Sequence, residues 1–178
     1  MVNFTRAASA LALAATVSAA PANATVKATE SAVRWTIKDF DFHADYIFTT
    51  PAHQNSWGYV KFTMTSDGYL TYTCSAQSDQ IPDFFYDFQT PYECTAPEGA
   101  IEGGKATFVY NRPDGTLTLT ETVAGVDKTY TGSATIKTTC TDKSTGPNPN
   151  WTLGSDENYS ERHIVCEKTD ATIDSKSA

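Results

Sequence analysis

The side chains best equipped for chemistry are three histidines, His43, His53 and His163, and four cysteines, Cys74, Cys94, Cys140 and Cys166. His163 ends the triplet Glu161-Arg162-His163. Those are the types a secreted ribonuclease combines on a sheet for general acid–base catalysis. Neighbours in a strand point to opposite faces, so Glu161 and His163 can converge while Arg162 cannot. The triplet therefore reads as solvated charge at the end of a loop. His43 and His53 flank Tyr46-Ile47-Phe48 and have no identifiable partner. A serine hydrolase would need a Gly-x-Ser-x-Gly elbow, which is absent. Glycoside hydrolysis needs two carboxylates about 5–9 Å apart. Asp79, Asp83, Asp87, Glu93 and Glu98 are close in sequence, but with 21 acidic residues in the chain such proximity arises without catalysis. No residue is assigned a catalytic role, and no enzymatic activity, metal or cofactor is expected.

Four cysteines are an even number, and their meaning depends on the compartment. Arg6 precedes an apolar run from Ala7 to Val17 and the small residues Ser18-Ala19-Ala20. That is the layout of a secretory signal peptide over residues 1–20, cleaved before Pro21. The run is shorter than the ~20 residues a membrane helix needs. The tail has no hydrophobic stretch for a lipid anchor. An extracellular protein without a membrane segment is expected, with structural disulfides. Four cysteines allow three connectivities, and the residues alone do not choose among them. Zinc is disfavoured, since no Cys-x-x-Cys pair occurs.

The chain carries 21 acidic and 13 basic side chains; without Arg6 the mature form has a net charge of −9. Phosphate-driven binding needs clustered Lys and Arg. None is found, so nucleic acid and anionic membrane surfaces are poor partners and a basic protein or neutral small molecule fits better. Aromatic density marks the segment between Cys74 and Cys94: Phe84, Phe85, Tyr86, Phe88 and Tyr92. Together with Asp83 and Asp87, Phe84, Phe85 and Tyr86 have the composition of a contact surface, in competition with core packing. Trp57 and Trp151 are further candidates for partner contact, whereas Trp35 belongs to the core.

Those residues must be positioned by strands. Val33, Trp35 and Ile37 alternate with polar residues, as do Val60, Phe62 and Met64, then Leu70, Tyr72, Cys74 and Ala76 after a Ser66-Asp67-Gly68 turn. Ala106, Phe108 and Tyr110 reverse at Arg112-Pro113-Asp114-Gly115 into Leu117 and Leu119. A third hairpin turns through Ala124-Gly125-Val126-Asp127 into Tyr130, Ala134 and Ile136, and the last strand is expected at Ile164–Lys168. Short alternating runs with turns at this spacing predict an all-β antiparallel barrel or sandwich of about 8–11 short strands with little helix. One domain over residues 33–168 is expected, after a linker at 21–32 and before a tail at 169–178. Residues 141–162, rich in Pro, Gly and Asn, read as a long surface loop. It holds the sequons at Asn150 and Asn158; a third lies at Asn23.

Trp35-x-Ile37-x-x-Phe40, Gly58 with Phe62, Leu70-Thr71-Tyr72-Thr73-Cys74-Ser75-Ala76-Gln77 and Tyr92-x-Cys94 resemble the major Alternaria allergen family. Phe108, Leu117 and Leu119, Tyr130-Thr131-Gly132-Ser133-Ala134-Thr135, Cys140 and Cys166 follow in the family's order. The resemblance implies a fungal β-barrel or sandwich with sequential disulfides, Cys74–Cys94 and Cys140–Cys166. It also implies an extracellular allergen, elicitor or virulence-associated effector that binds a host protein, such as a thaumatin-like pathogenesis-related protein. No catalytic residues carry over. No cysteine lies between Pro21 and Val33, where the allergen has its dimer-linking one, so a monomer or non-covalent dimer is expected. Two alternatives accompany this reading: a carrier of a small phenolic ligand, and a secreted ribonuclease.

Overall fold

The computed structural model describes residues 32–66, 70–80, 84–86, 90–100, 102–125 and 128–178. The expected export signal at 1–20, most of the expected 21–32 linker, Asn23, Asp83, Asp87, Phe88 and the turn residues Asp67, Gly68, Val126 and Asp127 lie outside them. The described chain is all-β. Its strands are β1 (Arg34–Thr50), β2 (His53–Gln54), β3 (Trp57–Ser66), β4 (Leu70–Ser78), β5 (Tyr92–Thr95), β6 (Lys105–Asn111), β7 (Thr116–Val123), β8 (Lys128–Thr135), β9 (Cys140–Thr145), β10 (Ser160–Cys166), β11 (Thr169–Asp174) and β12 (Lys176–Ser177). They form one curled antiparallel sheet, a half-barrel, in the order β12-β8-β7-β6-β5-β4-β3-β1-β10-β9, with β11 and β2 also on β1.

β1 is the spine and the longest of the described strands. It runs for 17 residues because an extra residue at the Lys38–Asp39 step is absorbed as a bulge, where the register against β3 and β11 shifts and Asp39 takes φ 54°. The bulge flips parity: Trp35 and Ile37 face inward before it, Phe40, Phe42, Ala44 and Tyr46 after it. These side chains join Val60, Phe62, Met64, Tyr72, Phe108, Tyr110, Leu117, Leu119 and Ile173 in one core.

Both disulfides cross neighbouring strands. Cys74 faces Cys94 between β4 and β5, and Cys140 faces Cys166 between β9 and β10. Beside Trp35 and Ser66 sits a buried carboxylate. Glu121 Oε2 accepts the Trp35 indole N–H at 2.6 Å and the Ser66 hydroxyl at 2.7 Å.

Two predicted segments need correction. The tail at 169–178 is strand: β11 pairs with the first half of β1, β12 pairs with β8, and Ile173 is buried. The last ten residues therefore strap one end of the sheet shut. The strap approaches so closely that a Cβ on Gly132 would lie 2.6 Å from the Asp174 carbonyl oxygen. The 141–162 loop is shorter than expected, since both its ends are strand and only residues 146–159 are irregular.

Candidate partner-binding face

The second half of β1 lies between β3 and β10, and cross-strand pairing sets which outward side chains meet. His43 is opposite Tyr59 on β3 and Val165 on β10, Asp45 opposite Trp57 and His163, and Ile47 opposite Glu161. Residues directly opposite share a face of the sheet. The outer face thus carries Trp57, Tyr59, His43, Asp45, His163, Glu161 and Val165 as one contiguous group.

Its aromatic half is a ladder. The Trp57 and Tyr59 rings lie 13° from parallel with centroids 6.1 Å apart, and His43 stacks on Tyr59 at 4.8 Å. Trp57 is 38% exposed and Val165 47%. The Tyr59 hydroxyl donates to Asp41 Oδ2 at 3.4 Å, and burial, then the Asp41 charge, pushes the phenol above its usual range. His43 Nδ1 approaches Asp41 Oδ1 to 2.9 Å, but the two are too poorly aligned to hydrogen-bond.

The polar half is a three-member chain. His163 Nδ1 lies 2.5 Å from Asp45 Oδ1 and Nε2 lies 3.1 Å from Glu161 Oε2. A ring flanked by two carboxylates is favoured as imidazolium, which donates to both. The hydrogen bond to Asp45, then that to Glu161, raises the His163 pKa above its ordinary value. Glu161 is in turn held below the ordinary carboxylate range, first by the Asn158 amide, which donates to it at 2.6 Å, then by His163.

Glu161 and His163 therefore converge, as their spacing indicated, and Arg162 does not join them. It occupies the opposite face, where Nε and Nη2 donate to Oδ1 and Oδ2 of Asp142 as a bidentate pair and the guanidinium lies over the Tyr46 ring at 5.3 Å. Missing from the sequence reading were Asp45, Tyr59 and Val165. Alternation continued past the Asp39 bulge would have put Asp45 on the face of His43.

The aromatic run in the first disulfide loop divides. Phe84 and Phe85 are buried, which corrects their assignment to a contact surface. Phe84 packs on Gly58, where a Cβ would come within 2.8 Å of its ring. Phe85, at φ 57°, turns inward against Phe42, Tyr92 and Tyr110. Tyr86 is exposed. Asp83 and Asp87 lie outside the described residues. Trp151 is half-buried, edge-on to Tyr159, in the 146–159 loop away from the ladder. Asn150 is exposed in the same loop, while Asn158 is half-buried with its amide engaged by Glu161.

The same loop borders an open cleft of about 520 Å³ lined by Pro147, Asn148, Glu157, Tyr159 and Glu161 among others. Its lining is mixed, with one aromatic ring.

A search of curated proteins finds no match. Residues 37–171 match the family described as Alternaria alternata allergen 1. The matched span covers well over half of the chain, including both disulfides and the whole outer face, and on that ground the protein belongs to the Alternaria alternata allergen 1 family.

Proposed function

We propose that this allergen-family protein is a secreted effector or elicitor that binds a host extracellular protein, with the outer face of β3, β1 and β10 as its contact surface. The carrying observation is the aromatic ladder: Trp57 beside Tyr59 and His43, with Val165 exposed next to them, on a sheet stapled by a disulfide at either side. An exposed tryptophan on a rigid scaffold, backed by the half-buried Tyr59 ring, binds with little loss of side-chain entropy. The chain's net charge of −8 favours a basic partner. Binding acts by occupying the partner's surface, with no chemical step.

A thaumatin-like pathogenesis-related protein is the first partner to test, because the family resemblance implies it. Purified protein is titrated against it by calorimetry. Trp57→Ala is expected to weaken binding by roughly 2 kcal/mol or more, as for an aromatic hot spot, and Tyr86→Ala to change it little. Equal affinity of wild type and Trp57→Ala would remove the ladder from the interface. Absence of binding to this and other plant extracellular proteins would end the effector reading.

A further inference from the structure

β9 ends the sheet, and among the described residues no strand lies beyond it. All six of its residues are exposed. Which backbone groups point outward follows from one bond. Glu167 N–H donates to the Thr139 carbonyl at 2.9 Å, in register with the Cys140–Cys166 pairing. Residues 139 and 167 are thus a hydrogen-bonded pair, and such pairs alternate along an antiparallel ladder. Thr141, Lys143 and Thr145 turn their N–H and C=O groups to β10, so Cys140, Asp142 and Ser144 turn theirs outward.

Three donors and three acceptors in a row are a template for another strand. A second copy is a poor occupant. Pairing two β9 edges about a two-fold must set outward-turned residues opposite outward-turned ones, which rules out the register that pairs all six. Of the registers left, those pairing five of the six put Asp142 against Asp142 or Lys143 against Lys143. Each adds a like-charge contact and no opposite-charge one, which is unfavourable. Asp142 is already held by Arg162, whereas Lys143, beside His163, has no ion pair among the described residues.

We propose that the β9 edge binds an extended segment of a partner protein by strand addition, with an acidic side chain of that segment opposite Lys143. Side chains next to it pack on Thr141 and Thr145, as β-branched residues do across strands. β9 is six residues long and the chain beyond Thr145 is irregular, which limits the added strand to about six residues. This site is separate from the Trp57 ladder, and either can fail while the other stands.

The probe is acetyl-Thr-Val-Thr-Glu-Thr-Val-Thr-amide, with a lysine-centred peptide as comparator, added at millimolar concentration while amide exchange is followed by NMR. In the free protein the amides of Thr141, Lys143 and Thr145 should be protected and those of Cys140, Asp142 and Ser144 open. The glutamate-centred peptide should slow the open three by roughly tenfold or more, and the lysine-centred one should act less. Ser144→Pro deletes an outward donor without touching a bond to β10 and should abolish the effect, with Thr141 and Lys143 still protected. Should that variant misfold, Lys143→Glu serves instead, reversing the preference between peptides. Unchanged exchange at the three amides, equal effects of both peptides, or binding insensitive to both variants would overturn the proposal.

Discussion

At the residue scale, the Asp45–His163–Glu161 chain gives the outer face a pH dependence whose sign follows from its two shifts. His163 is raised by its bonds to Asp45 and Glu161, so its contribution to stability is complete below its unfolded pKa of about 6.5 and is lost as pH rises through the higher folded value. Glu161 is lowered, so its contribution is complete above its ordinary value of about 4.3 and is lost as pH falls through the folded one. The cluster is strongest at mildly acidic pH. The His163 ring protons should titrate with a midpoint above 6.5, and Asp45→Asn should bring it back toward that value; NMR titration checks both. Because the His163 side chain is 39% exposed, solvent screening limits the stability carried by the pair to about 0.5–1 kcal/mol. Glu121 is the opposite case. Its buried carboxylate is held by two neutral donors, and Ser66→Ala removes one while nearly conserving side-chain volume. A loss of about 1–3 kcal/mol in urea unfolding is expected, the cost of a buried polar group left short of a partner. The convergence of Glu161 with His163 was legible in the sequence because it depends only on the two-residue period. Asp45 and Glu121 were not, because each meets its partner through a register between strands far apart in the chain.

At the element scale, β1 and the first disulfide loop show where local pattern stops being sufficient. The hairpins β3–β4, β6–β7 and β7–β8 were readable, since each combines unbroken alternation with its own turn residues. β1 was half-readable: one inserted residue at Asp39 exchanges its faces, so the alternation ending at Ile37 does not extend to Phe40. The Phe84-Phe85-Tyr86 run was ambiguous, because Phe85 at positive φ leaves the extended geometry that a period of two assumes. What docks this loop on the sheet is the missing side chain at Gly58. A Cβ there would stand 2.8 Å from Cδ2 and 2.9 Å from Cγ of Phe84, a ring with no free space to retreat into. Gly58→Ala is expected to cost about 1–3 kcal/mol by overpacking. Thermal unfolding measures it, and near-ultraviolet circular dichroism should report the displaced aromatic cluster. No loss of stability would mean that the loop is not anchored through Phe84.

At the scale of the whole molecule, the half-barrel is closed by its last ten residues. An open sheet curled this far would leave β8 and the first half of β1 as two facing edges; β11 and β12 bridge them. The bridge is secured at several points: Ser175 N–H donates to the Val33 carbonyl at 2.9 Å, Ala178 N–H to the Thr129 carbonyl at 2.9 Å, and Ile173 fills the core beneath. The polar composition of residues 169–178 hides this role, because a strand exposed on one face and short of a full hydrophobic run carries a single core side chain, Ile173, as its signature. Its function as closure is separable from the disulfides, which staple β4 to β5 and β9 to β10 and leave the strap alone. Ile173→Ala should therefore destabilise by about 2–5 kcal/mol, the range for truncating a buried isoleucine, with both disulfides intact. Deleting residues 169–178 should do more, uncovering Trp35 and Ile37 along β1. Denaturant midpoints and binding of a hydrophobic dye measure the two effects. A deletion variant with the wild-type midpoint and no added dye binding would show that the sheet holds its curl without the strap, and that the closure is a consequence of the curl, not its cause.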